Sequence, residues 1–89
     1  MISFTDHARD KLQRELAKLG ITDNSVGATI EGPDLLLFDP ETDRYVAIKW
    51  SHSIAVIYEK QLDDALVITV RCSTVLKEIV DRRRSGRWI

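Results

Sequence analysis

Residues 44–72 read RYVAIKWSHSIAVIYEKQLDDALVITVRC, and this stretch decides the fold. Three runs rich in β-branched and aromatic residues, Arg44–Trp50, Ile54–Glu59 and Ala65–Cys72, are parted only by SHS and KQLDD. Connections this short join antiparallel neighbours, because parallel strands need a crossover of a dozen or more residues. A fourth run, Asp34–Phe38, precedes the turn-forming DPETD, so the centre of the chain reads as a four-stranded antiparallel meander.

Helical spacing flanks it on both sides. Ala8, Leu12, Leu16 and Leu19 recur on one face of a helix from Thr5 to Leu19, with Ser3 or Thr5 as cap and Gly20 as the left-handed stop. Thr22 caps a short second helix that reaches Glu31, with Ile21 and Val26 as its staple, and Gly32-Pro33 ends it. After the strands, STVLKEIVDRRR restarts the pattern, with Ser73 or Thr74 as cap and Val75, Leu76, Ile79 and Val80 apolar. The order is α-α-β-β-β-β-α, a single α+β domain over 1–89 with two N-terminal helices packed on the sheet and a helix at the C-terminal end. Its expected core is Leu12, Leu16, Leu19, Val46, Ile48, Leu66, Ile68, Val70, Leu76 and Ile79.

The 89 residues suffice for one such core, and 44% hydrophobic with 30% charged residues is a globular composition. The longest apolar runs, Leu35–Phe38 and Ile54–Tyr58, fall far short of the ~20 residues that span a bilayer, and no basic-then-apolar leader opens the chain. A single cysteine, Cys72, forms no internal disulfide and suits a reducing cytoplasm, the expected location. His7, His52 and Cys72 make no metal-ligand spacing, and there is no phosphate loop, dinucleotide fingerprint or nucleophile elbow, so no metal or cofactor is expected.

A net charge of −1 hides an asymmetry: residues 1–64 carry 7 Lys/Arg against 12 Asp/Glu, whereas residues 65–89 carry 6 against 2. The positive field is local to the C-terminal end. On the first helix His7, Lys11, Arg14 and Lys18 form one stripe, either a basic ridge or a solvated face stitched by Asp10–Arg14 and Lys11–Glu15 pairs. Strand parity gives a second surface. If the aliphatic sets Val46/Ile48 and Leu66/Ile68/Val70 face the helices, Tyr45, Lys49, Thr69 and Arg71 share the opposite, open face. Such a surface can pair with phosphates and stack on bases, or serve simply as the polar side of a half-covered sheet. For 54–59 parity leaves both choices open, Ile54/Val56/Tyr58 or Ala55/Ile57/Glu59 inward.

In the closing DRRRSGRWI, three successive helical arginines fan over about 200° and cannot all grip one partner. Arg83 continues the apolar stripe toward the sheet edge, while Arg82 and Arg84 flank it in solvent. Gly86 frees Trp88 and Ile89 to fold back, which would pin Arg87, so Arg83 and Arg87 are candidates for a fixed anion site.

The opening SFTDHARDKLQRELAKLGITDNSVGATIEGPD, with DRYVAIKW, IAVIYEKQLDDALVITV and the terminal GRW, resembles a small prokaryotic domain-of-unknown-function family of the RelE/ParE-like toxin superfamily. The resemblance covers nearly the whole chain and implies a helical hairpin on a small antiparallel sheet. It also implies the superfamily's activities as expectations: RelE-type members cut messenger RNA on the ribosome, and ParE-type members block gyrase. By position His7, Arg71 and Arg87 match places where polar functional groups recur. The chain departs from the pattern in having Arg71 where an aromatic residue is frequent, and Trp88 near the place of a C-terminal tyrosine.

Two functions follow as expectations. In the first, the chain engages RNA through the basic and aromatic sheet face and cleaves it without a metal. His7, Tyr58 or Glu59 would transfer protons and Lys49, Arg71 and Arg87 would stabilise charge, with Lys11, Arg14, Arg44, Tyr45 and Arg83 completing the RNA surface. In the second, the same groups form a binding module without chemistry for an antitoxin, a gyrase-like target or another protein. Expected partners are thus RNA or the ribosome, a cognate antitoxin, or a second copy of the chain in a homodimer; no membrane is expected.

Overall fold

A computed structural model describes residues 1–72 and 75–89, without the side chains of 52, 75 and 76. The expected caps Ser73 and Thr74 lie outside the described residues, as do the side chains of the expected core residue Leu76 and the turn histidine His52. The class is α+β, but the sheet has five strands. The additional one, β1 (Ile2–Phe4), pairs in parallel with β5 (Asp64–Cys72), setting Ile2 beside Ala65 and Phe4 beside Val67. Three residues of ISF carry too little alternation to announce a strand.

Thr5 turns this strand into a helix within one residue. Its backbone is extended, its amide bonds the Val67 carbonyl at 3.0 Å, and its Oγ1 accepts from the Ala8 amide at 3.1 Å. Helix α1 (Asp6–Lys11) then loosens into a π-helical stretch over Leu12–Leu16 and tightens into a 3₁₀ turn over Ala17–Leu19, stopped by Gly20 at φ 79°. The wide turn shifts the phase of the apolar stripe. Leu16 stays buried, but Leu19, expected in the core, turns out to solvent at 63% exposure, and Ile21 is buried instead. Helix α2 (Asp23–Glu31) starts at Thr22 with a reciprocal Thr22–Ser25 capping box and ends at Gly32.

The remaining strands are β2 (Leu35–Asp39), β3 (Arg44–Lys49) and β4 (Ile54–Gln61), in the sheet order β1-β5-β4-β3-β2. The β2-β3-β4-β5 meander is antiparallel as expected. Helix α3 (Val75–Arg84) follows, and Gly86 at φ 79° reverses the chain behind it.

Both faces of the sheet are covered, so the expected open face does not exist. Helices α1 and α2 lie over one face, where Ala8, Leu12, Leu16, Ile21 and Val26 pack on Ala47, Ile54, Val56, Tyr58, Val67 and Val70. On the other, Ile79 of α3 and Trp88 of the tail pack on Leu37, Val46, Ile48 and Ala55. The expected single core is two clusters, one on each side: Val46, Ile48 and Ile79 belong to the second, Leu12, Leu16 and Val70 to the first, and Leu66 and Ile68 are only half-buried. The undecided parity of β4 resolves because both sets are needed, Ile54/Val56/Tyr58 toward α1 and α2 and Ala55/Ile57 toward α3.

Candidate anion site

A β-bulge determines which charges meet. Along β4 and β5, Tyr58 opposes Val67 but Ile57 opposes Thr69, leaving Ile68 as an extra residue. One inserted residue exchanges the faces of everything beyond it. Without it Arg71 would stand opposite Ile54 and share a face with Lys49, as simple alternation predicts. With it, Arg71 opposes Ala55 and turns toward α3. The expected pairing of Lys49 and Arg71 on one surface is therefore corrected: they lie on opposite sides of the sheet.

On the α3 side Arg71 meets the tail. Arg44, Arg71, Arg82 and Arg87 line a cavity of about 130 Å³ with Asp39, Thr42, Ile57, Ile68, Thr69, Glu78 and Trp88. Two of the lining residues, Asp39 and Glu78, are carboxylates, and Glu41 and Glu59 pair with the arginines from just outside the lining, so four guanidiniums meet four carboxylates. Each arginine is tethered. Arg87 Nε donates to Asp39 Oδ2 at 2.8 Å and its Nη1 lies 3.1 Å from Glu41 Oε2, Arg44 Nε donates to Glu59 Oε1 at 3.2 Å, and Glu78 sits 3.2 Å from Arg71 and 3.9 Å from Arg82. The Arg71–Glu78 contact is an ion pair by distance only. The Arg71 Nε–H is not aimed at the carboxylate, and this buried nitrogen makes no hydrogen bond among the described residues. Buried donors are nearly always satisfied in folded proteins, which makes this nitrogen unusual among the described residues.

The tail is fixed by its backbone. The amides of Arg87 and Trp88 donate to the Arg82 carbonyl at 2.8 and 3.2 Å, and Ile89 exchanges hydrogen bonds with Phe38 on β2, both at 2.9 Å. Trp88 thus folds back and pins Arg87, as expected. The expectation for Arg82 and Arg83 is reversed: Arg83 is exposed, and Arg82, one turn beyond Glu78, faces the cavity.

Asp39 anchors the site. Burial disfavours its charge, but the Arg87 hydrogen bond, the Glu41 amide at 3.0 Å, the Thr42 hydroxyl and the Arg87 charge outweigh that and hold its carboxyl below the usual 3.8. A depressed pKa contributes stability that is present above the unfolded value and lost as pH falls through the folded one. Asp39→Asn is therefore expected to destabilise the protein by about 1–2 kcal/mol at neutral pH, a modest figure because Arg87 keeps solvent contact. In urea titrations at stepped pH, wild type and variant should converge below 3.8; a difference independent of pH would mean that the charge of Asp39 contributes nothing.

The other expected site residues are dispersed. Lys49 donates to the Gly32 carbonyl at 2.8 Å, at the end of α2. Tyr45 stacks on Tyr58 at 5.7 Å and tilts against Phe38 at 5.1 Å, on the face covered by α1 and α2. Tyr58 is buried there, and desolvation, reinforced by Tyr45, raises its pKa above 10.0, which opposes a role as proton donor. His7 is exposed on α1, Arg14 forms the expected pair with Asp10 at 2.8 Å, and Lys11 is half-buried. Hence Lys49 and Tyr58 lie on one side of the sheet and Arg71 and Arg87 on the other, and the five residues expected to be catalytic form no common centre. Sequence alone singles out neither Asp39 nor Glu78, and it places Arg82 in solvent. Glu78–Arg82 spacing was the available signal for the last two, whereas Asp39 reads as an ordinary turn residue in DPETD. Among the described residues no cluster of His, Cys, Asp and Glu suits a metal ion, and no helix is long and apolar enough to cross a membrane.

Comparison of the chain with protein families, with characterised proteins and with solved structures gives no match.

Proposed function

We propose that this chain is a RelE/ParE-like, toxin-derived module that binds RNA without cutting it, seating a backbone phosphate in the cavity of Arg44, Arg71, Arg82 and Arg87. The observation that carries the reading is the buried Nε of Arg71, ion-paired to Glu78 at 3.2 Å but without a hydrogen bond among the described residues, in a cavity lined by four guanidiniums. Guanidinium forks suit phosphate geometry, and the cavity sets four of them around one space. The dispersal of the proton-transfer candidates favours binding over cleavage. The small cavity admits one phosphate group, so affinity should be weak and its salt dependence shallow.

Fluorescence anisotropy with a short single-stranded RNA tests this. Wild type should give a log Kd against log salt slope of about 0.7–1, the release expected for one phosphate, and Arg71→Gln should weaken binding about tenfold and flatten that slope. Lys49→Gln, on the far face, should leave both unchanged. Equal losses in the two variants, or no loss at Arg71, would refute the site.

A protein partner is the second reading. Leu36 on β2 and Trp50, in the turn after β3, are about half exposed, the Trp50 amide bonding Asp34 just before β2, and exposed apolar groups beside an edge strand suit an antitoxin or a second copy of the chain. Light scattering of the purified protein, alone and with its neighbouring gene product, distinguishes these.

A further inference from the structure

The face covered by α1 and α2 holds a second opening, independent of the arginine site. It encloses about 440 Å³ beside the β4–β5 turn, where the last residues of α2 meet the start of β1. That volume is in the range of small-molecule pockets, roughly 300–1,000 Å³. Ile2, Ile30 and Ala65 give it apolar lining, and Glu31, Lys60, Asp63, Asp64 and the Met1 ammonium give it charge.

Two features of this opening point to a ligand. Tyr58, which lines it, is only 7% exposed, and its hydroxyl is not among the sealed polar atoms left without a partner, so it is open to whatever enters. The ring is held in this position by Tyr45, which stacks on it with an interplanar angle of 25°. Burial keeps this hydroxyl neutral, so it retains both a donor and acceptor lone pairs. The second feature is charge. The Met1 ammonium occupies Asp64 at 2.6 Å, which leaves Glu31 and Asp63 against Lys60. The carboxyl-terminal end of α2, with its partial negative charge, adds to that excess.

We propose that this cavity binds a small organic cation: an ammonium group on an apolar body about the size of one aromatic ring. The body rests on Ile2, Ile30 and Ala65, the ammonium is drawn by Glu31 and Asp63, and the Tyr58 hydroxyl accepts a hydrogen bond from it. An anion of the same shape is repelled by the two carboxylates. The ring stack of Tyr45 on Tyr58 then serves to hold the hydroxyl in place for recognition, a role distinct from the proton transfer expected of Tyr58 from sequence.

The test uses the full chain, ¹⁵N-labelled, titrated separately with phenethylamine and with 3-phenylpropionate, which carry similar bodies and opposite charges. Phenethylamine should shift the amides of Ile2, Ile30, Glu31 and Ala65 saturably, and phenylpropionate should not. Tyr58→Phe keeps the ring stack and should weaken the amine by roughly tenfold, the loss of one hydrogen bond to a charged group. Should that variant fail to fold, Glu31→Gln, at an exposed position, should weaken the amine several-fold. Equal binding of both probes, shifts centred on other residues, no saturable shift at millimolar amine, or unchanged affinity in the folded variants would overturn the proposal.

Discussion

Replacing Trp88 by alanine should destabilise the protein by about 3–5 kcal/mol, the usual cost of removing a buried large aromatic side chain. Trp88 is 4% exposed and fills the space between Ile79 and the sheet residues Leu37, Val46, Ile48 and Ala55. Nothing nearby can close the void, because the β-strand positions are fixed by their ladder and the tail by its bonds to Arg82 and Phe38. The same change should free Arg87 from Asp39 and so weaken any anion bound in the cavity. Arg84→Ala, at an exposed helix end, should alter stability by less than about half a kcal/mol. Urea unfolding followed by circular dichroism measures both, and a loss under ~1 kcal/mol for Trp88→Ala would show that the tail is not part of the folded core.

A second large effect lies in the first helix. Leu16→Ala should cost about 2–5 kcal/mol and Leu19→Ala less than about half a kcal/mol, although both leucines sit on the same apolar stripe of an ideal helix. The difference comes from the π-helical stretch over Leu12–Leu16, which keeps Leu16 at 3% exposure and releases Leu19 to 63%. Comparable losses at the two positions would mean that the helix is regular. A third variant, Ile21→Ala, should resemble Leu16→Ala, since Ile21 is 5% exposed in the same cluster.

The meander and the helices could be read from sequence because each rests on local periodicity and turn chemistry: Val46 and Ile48 alternate with Ala47, Thr22 caps, and Gly20 stops. The folding back of Trp88 was equally accessible, since a terminal aromatic after a glycine gains more on the core than in water. Three things were not. β1 is too short to carry a pattern and exists only because β5 offers it an edge. The extra residue at Ile68 leaves no trace in ALVITVRC, which alternates no differently with or without a bulge. Arg82 and Arg83 differ in facing by one helical step, and the position of the stripe relative to the sheet decides between them. These are tertiary facts, and the site depended on the last two. Tyr45, Lys49 and Arg71 share a face only on an unbroken strand, and that face is open only where no helix covers it.

The bulge at Ile68 also bears on how such a chain can change over generations. Substitutions alter what a strand carries but not which way it faces. Loss of one codon there would set the residues beyond it in the opposite phase, carrying Arg71 from the α3 side to the side of Tyr45 and Lys49 in a single event. The very surface that plain alternation predicts is thus one deletion away, at the expense of Val70, which would leave the cluster it now fills. Related chains with and without that residue would wear their charges on different faces while aligning almost perfectly, and a comparison blind to single gaps would equate arginines that never meet the same partner.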